Sequence, residues 1–282
     1  MILIIDFGSQ FNQLIARRVR ECRVYCQIEP PSITCDHVKA LNPEGIILSG
    51  GPSSIYEPNS PKIDPAILGL GIPVLGICYG LQYMVHTLGG SVARSSKREY
   101  GFAEFQLKKG DGLFKGVEAQ TNCWMSHGDS ITKLPSGFRI TGSTENTRIA
   151  AASNPRRKMF GLQFHPEVEH TPRCKRMLRN FLSDICGCRM SWNMKSFASQ
   201  TIDEIRHRVG DKKVILGLSG GVDSSVAALL IHQAIGKNLT CIFVDNGLLR
   251  KNEAEQLKIV FKENLKINIR VVKASGLSLI HI

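Results

Sequence analysis

Cys78 stands two residues from a glycine on each side, Gly76 and Gly80. The apolar run Ile72-Pro73-Val74-Leu75 precedes it and Leu81-Gln82-Tyr83-Met84-Val85 follows, an order that reads strand, sharp turn, helix. Glycines at i−2 and i+2 permit a strained turn that lifts the central side chain above a sheet, and a helix N-terminus beside it favours the thiolate. Taken alone, the segment is also compatible with a small buried cysteine at a strand end. Further on, Phe160-Gly161-Leu162-Gln163-Phe164 reads as a short strand that delivers His165-Pro166-Glu167. An imidazole acts as base toward a thiol, a carboxylate holds its tautomer, and Pro166 fixes the backbone so that both face one site. Cys78, His165 and Glu167 then form a cysteine hydrolase triad. The apolar strand Gly45–Leu48 runs into Ser49-Gly50-Gly51-Pro52-Ser53-Ser54. A glycine turn at the carboxyl end of a parallel strand turns backbone N–H groups toward the ligand crevice, so the amides of Gly51 and Tyr79 are expected to hold a tetrahedral oxyanion.

A second chemical segment lies in the last third of the chain. The buried-strand run Lys213–Leu218 ends in Ser219-Gly220-Gly221-Val222-Asp223-Ser224-Ser225, and a helical run from Val226 follows. Glycines and hydroxyls at a strand-to-helix turn make a cradle for phosphate, through backbone N–H groups and the helix N-terminus. It is not a Walker A loop, since no Gly-Lys-Ser/Thr occurs in it. Another strand, Leu239–Val244, ends in Asp245-Asn246-Gly247, and neighbouring strand ends share one crevice in a doubly wound sheet, which makes Phe243, Val244 and Asp245 weaker candidates for nucleotide contact.

These elements imply an α/β protein of two domains, as a length of 282 residues also suggests. The first, 1–188, is read as a mostly parallel sheet with helices on both faces. Residues 189–200 are polar and weakly periodic and are read as a linker. Residues 201–276 are read as the N-terminal part of a doubly wound nucleotide-binding domain, in which Ile202-Asp203-Glu204-Ile205-Arg206 starts an amphipathic helix ahead of the Lys213 strand.

Gly50-Gly51-Pro52, Gly-Ile-Cys-Tyr-Gly-Leu-Gln and Phe-His-Pro-Glu-Val resemble the triad-type (class I) glutamine amidotransferase family, which hydrolyses glutamine through a glutamyl thioester and passes ammonia to a second site. The resemblance implies that Cys78 is the nucleophile, His165 the base and Glu167 its orienting group. It also implies that Gln82 and Asp129, in Ser126-His127-Gly128-Asp129, bind the glutamine, Asp129 at its α-amino group. Ser219 to Ser225 resemble the pyrophosphate loop of ATP pyrophosphatases, which implies ATP as co-substrate and Mg²⁺ near Asp223. Glutaminase first and adenylating pyrophosphatase second resembles the synthetases that aminate xanthosine monophosphate. Further stretches support that resemblance, among them Arg98-Glu99-Tyr100-Gly101, Trp124-Met125-Ser126-His127-Gly128-Asp129 and Asp245-Asn246-Gly247-Leu248-Leu249-Arg250. Other amidotransferases with the same two modules, of the NAD-synthetase or tRNA-modifying kind, and a catalytically silent sensor are the alternatives.

Nine scattered cysteines without a signal peptide read as reduced thiols in a cytoplasm. No apolar run approaches membrane-spanning length. The net charge of +12 raises nucleic acid as a partner, but no aromatics interleave the basic clusters, and solvated faces and anionic substrates account for it more simply, so neither nucleic acid nor membrane is expected as a partner. The resemblance further implies a basic lid and a C-terminal dimerisation domain that forms a homodimer. The chain is therefore read as an N-terminal fragment. Its last six residues, 277–282, break the family pattern and match the translated end sequence of transposon-based sequencing libraries, so a non-native tail is expected there.

Overall fold

The computed structural model describes residues 1–168, 174–250 and 252–278. From residue 279 the expected non-native tail lies outside them. The chain divides into two compact units, Met1–Trp192 and Asn193–Ile282.

In the first unit the short apolar runs become parallel strands: β1 (Ile2–Ile5), β2 (Cys26–Glu29), β3 (Gly45–Leu48) and β4 (Val74–Ile77). Longer antiparallel strands follow, β5 (Ser91–Leu107) and β6 (Gln120–Lys133), then β7 (Arg139–Ser143), β8 (Ala151–Asn154) and β9 (Met159–Leu162). Among the described residues they make one nine-stranded sheet in the order β2-β1-β3-β4-β9-β8-β7-β5-β6. β2, β1, β3, β4 and β9 run parallel, and β8, β7, β5 and β6 continue antiparallel.

The parallel part is covered on both faces, which is why its strands read as unbroken apolar runs rather than as alternation. Ile2 and Ile4 face one core, with Ile15, Ala16 and Val19 of helix α1 (Asn12–Glu21) and Met177 and Leu178 of the helix Cys174–Asn180. Leu3 and Ile5 face the other, with Val38 of helix α2 (Cys35–Leu41) and Leu81, Met84 and Val85 of helix α3 (Tyr79–Thr87). The expected fold of the first domain, a mostly parallel sheet with helices on both faces, is the one observed.

In the second unit a long helix (Met194–Val209) precedes strand β10 (Val214–Leu218). Then come a helix (Val222–Ile235), β11 (Leu239–Asp245) and β12 (Ile269–Lys273), and the three strands pair in parallel in that order. Most of the segment expected as a linker, from Met194 onward, is thus helical, and the Asn193 side chain caps that helix by accepting the Ser196 N–H. The sheet has a covered face and an open one. Cys241 and Phe243 lie in a core with Ala228 and Phe261. On the alternate positions Ile215 is 71 % exposed, Val244 49 % and Val272 46 %. Phe243, a sequence candidate for nucleotide contact, is buried in that core, because β11 turns its odd and even side chains to opposite faces.

Candidate active site

The sequence places Cys78 at the one backbone position between β4 and α3, and its conformation there is strained: φ is 49° and ψ is −107°. The flanking glycines are required by contact. A Cβ on Gly76 would lie 2.7 Å from the Leu81 nitrogen, and one on Gly80 would run into the Leu48 carbonyl. The Cys78 N–H is held by the Leu162 carbonyl at 2.7 Å, so the turn is tied to β9, the strand that delivers the histidine.

Beyond β9 the His165 N–H donates to the Trp124 carbonyl at 3.0 Å, and the ring is brought to the elbow. A Cβ on Gly50 would lie 3.1 Å from His165 Cε1 and 3.7 Å from Cys78 Cβ, so both side chains line the glycine turn after β3. His165 Nδ1 donates to Glu167 Oε1 at 2.7 Å, and the Glu167 side chain is fully buried. Burial opposes the imidazolium, but the Glu167 carboxylate and the hydrogen bond with the Cys78 side chain outweigh it and push His165 up to about 10. Arg18 on α1, itself buried, donates its Nε–H to the Glu167 carbonyl at 3.0 Å and pairs with Glu21 at 2.9 Å. The three triad candidates are therefore brought together.

Gly51 packs so closely on Phe7 that a Cβ would lie 2.6 Å from the Phe7 carbonyl oxygen. Tyr79 is the first residue of α3, where the N–H has no acceptor within the helix. Both expected oxyanion donors thus sit on the turns that border Cys78.

Gln82 and Asp129 also meet. Gln82 Nε2 donates to the Asp129 carbonyl at 2.9 Å and to Gln163 Oε1 at 3.2 Å, while Asp129 Oδ2 accepts from Ser54 at 2.5 Å. The Gln82 N–H groups are committed inside the protein, so its Oε1 is the atom left for a ligand.

Three features had no counterpart in the sequence reading. Gln163 Nε2 donates to Cys78 Sγ at 3.6 Å, and the Cys78 thiol donates to the Ser126 carbonyl at 3.5 Å. Arg18 braces the Glu167 backbone from a helix remote in sequence. Behind Asp129, the His127 ring packs against Glu99, which accepts from Thr144 at 3.0 Å and from Thr147. Burial pulls the His127 pKa down, against the raising influence of the Asp129 carbonyl and Glu99. The one available signal was Gln163 itself, a polar residue inside an apolar run, which demands a partner when buried.

In the second unit, β10 leads through Ser219 and Gly220, at φ +80°, to Gly221, the residue that caps the following helix. The loop is held by its own hydroxyls: Ser219 and Ser224 Oγ lie 3.0 Å apart, and Ser225 Oγ donates to the Gly221 carbonyl at 2.8 Å. Asp223 is exposed in the first turn of that helix. Among the described residues no cluster of three His, Cys, Asp or Glu forms a ready metal site, and no helix is long and apolar enough to cross a membrane.

The sequence pattern of the family described as glutamine amidotransferase class-I matches residues 3–185, and that of the family described as NAD synthase matches residues 195–279. The chain is 54% identical to the GMP synthase [glutamine-hydrolyzing] of Clostridium perfringens and 52% identical to that of Heliobacterium modesticaldum, over 97% of this chain in each case. It spans about half the length of these curated relatives, 54% and 53%. A solved Thermoplasma acidophilum protein, whose name carries the words GMP synthase, superposes with a TM-score of 0.58 at 30% identity, over 66% of this chain and 93% of that one. A Thermotoga maritima glutamine amidotransferase shares the fold, with a TM-score of 0.53 at 20% identity over 66% of this chain and 97% of that one.

Proposed function

Because the chain belongs to the class-I glutamine amidotransferase family, we propose that its first unit hydrolyses glutamine, and that with the second unit it forms part of a glutamine-hydrolysing GMP synthase. The observation that carries this reading is the buried His165–Glu167 pair, 2.7 Å apart, beside a cysteine held on a strained elbow.

In this reading the Cys78 thiolate attacks the carboxamide carbon of glutamine and a C–S bond forms. The oxyanion takes hydrogen bonds from the Gly51 and Tyr79 amides. His165, held protonated by Glu167, gives its proton to the departing nitrogen; the C–N bond breaks and ammonia leaves a glutamyl thioester. The now neutral His165 takes a proton from water, the hydroxide adds to the thioester, and the C–S bond breaks to release glutamate and the thiolate. Gln82 Oε1 and the Asp129 carboxylate bind the substrate ammonium.

The second unit supports the nucleotide half of the reading. Ser219, Gly220, Gly221, Val222, Asp223, Ser224 and Ser225 would take the pyrophosphate of ATP through backbone N–H groups and hydroxyls. A carboxylate exposed at such a loop suits Mg²⁺, which Asp223 would hold beside the phosphates. Adenylation of xanthosine monophosphate by ATP, displacement of AMP by ammonia, a homodimer and a cytoplasmic location belong to the longer protein in this proposal.

The test is direct. Purified protein is given glutamine, and glutamate and ammonia are measured with and without ATP and xanthosine monophosphate, alongside Cys78→Ala. Glutamate release that depends on Cys78 is expected; glutamate release unchanged in Cys78→Ala would sink the assignment.

A further inference from the structure

We propose that Gln163 is a further catalytic residue, whose side-chain N–H holds the Cys78 sulfur in its anionic form. The proposal rests on the glutaminase reading above only for its consequence on turnover. Gln163 follows β9, is fully buried, and points its Nε2 at Cys78 Sγ across 3.6 Å.

The orientation of that amide is forced by chemistry. A backbone carbonyl only accepts, so the Gln82 atom facing the Asp129 carbonyl at 2.9 Å is nitrogen. The same nitrogen faces Gln163 at 3.2 Å, which makes the facing atom of Gln163 its oxygen. The Gln163 nitrogen is left for the sulfur. The Asp129 carbonyl is itself fixed from the other side by His127 Nδ1 at 2.9 Å, and a ring nitrogen facing a carbonyl carries the proton. The second His127 nitrogen lies toward Thr147 at 3.4 Å, and Thr147 is anchored on Glu99. Donors thus run in one direction along buried groups, from Gln82 through Gln163 to the sulfur.

The sulfur meets different partners in its two states. The Ser126 carbonyl at 3.5 Å accepts from the thiol but offers nothing to an anion. The Gln163 N–H is suited to the anion, beside His165. Hydrogen bonds to the charged form favour that form. The titratable groups around this point are His165 with Glu167 from the end of β9, and Glu99, His127 and Asp129 from β5 and β6.

The test uses the whole chain. Alkylation of Cys78 by iodoacetamide is followed across pH by mass spectrometry of its peptide, in wild type, Gln163→Met and Gln163→Glu. Gln163→Glu keeps an acceptor for Gln82 and loses the donor. At neutral pH both variants should react about tenfold more slowly, the scale of one hydrogen bond to a charged group, and approach the wild-type rate at high pH. An unchanged rate, or a deficit that is the same at every pH, would overturn the proposal, since the latter is what mere misplacement of the sulfur gives. If both variants lose their far-ultraviolet circular dichroism, the wild type decides. The ¹⁵N-labelled side-chain amide of Gln163 should shift over the pH interval in which Cys78 alkylation rises, and stay still in Cys78→Ala; a resonance that ignores Cys78 overturns it. The two readings fail separately. A pH-dependent alkylation deficit in a protein that releases no glutamate keeps the sulfur contact and removes the glutaminase; glutamine turnover with no deficit removes this proposal alone.

Discussion

The two units handle charge in opposite ways. In the first, a five-strand parallel core is covered on both faces, and the ionisable groups at and beside the candidate site are buried against one another: Glu167 on His165, Arg18 on the Glu167 carbonyl, Glu99 beside His127. In the second, the sheet is covered on one face, and the phosphate-type loop is open and bonded to itself. The difference follows from the chemistry each site is suited to. A thiolate and an imidazolium gain from low dielectric and fixed partners, whereas an anion that arrives from water needs donors that are exposed before it comes. The first site must be built by long-range packing; the second is assembled within seven consecutive residues.

The largest expected effect breaks the first site outright. If the proposed glutaminase reading holds, Cys78→Ala should lower glutamine hydrolysis by about four orders of magnitude or more, since it would remove the covalent nucleophile and leave only binding and the proposed oxyanion donors. Its circular dichroism and melting should be nearly those of wild type, because a strained left-handed position gains little from the cysteine side chain. Comparable turnover in the variant, measured as glutamate release, would place the chemistry elsewhere.

In the same proposal Glu167→Gln sharpens the contrast with a smaller loss, roughly two to four orders of magnitude in kcat, because the group would orient and stabilise His165 rather than bond to substrate. The pH dependence has a definite sign. His165 is raised from 6.5 to about 10 in the folded protein, so its ion pair stabilises fully below pH 6.5 and is lost as pH rises through about 10. The stability gap between wild type and Glu167→Gln, from urea unfolding, should be widest near pH 6 and close above pH 10. A gap that grows with pH would contradict a protonated His165.

The same contrast explains what was legible in the sequence. β3 and β10 are continuous apolar runs ended by glycine turns, and both emerge within a residue of where the sequence puts them. The grouping of Cys78, His165 and Glu167 was legible because each lies just beyond a strand end, fixed by its own local motif. Of the helix Met194–Val209 only the second half was legible, as the amphipathic segment from Ile202; the first turns read as linker because Phe197 is the one large apolar residue in them that is even half-buried. β6 was obscured for a different reason. It alternates between buried positions and half-buried or exposed ones, but Thr121, His127 and Asp129 stand on the buried side, so hydrophobicity does not mark the alternation. The Gln82–Asp129 and Gln163–Cys78 contacts join residues 47 and 85 positions apart, and only the packed sheet brings them together.

The smallest effect tests the open face directly, with one substitution at two equivalent-looking strand positions. Ile47 on β3 is fully buried, while Ile215 on β10 is 71 % exposed. Ile47→Thr replaces a packed ethyl group with a hydroxyl that must find a partner in an apolar core, and should cost roughly 2–4 kcal/mol in urea unfolding. Ile215→Thr removes almost no buried surface and keeps β-branching, so it should stay within about 0.5 kcal/mol. The two units are monitored separately, by amide exchange at β3 and at β10, so that each substitution is read in its own sheet. A loss at Ile215 as large as that at Ile47 would mean that something covers this face in solution, and the contrast between a closed and an open sheet would no longer hold.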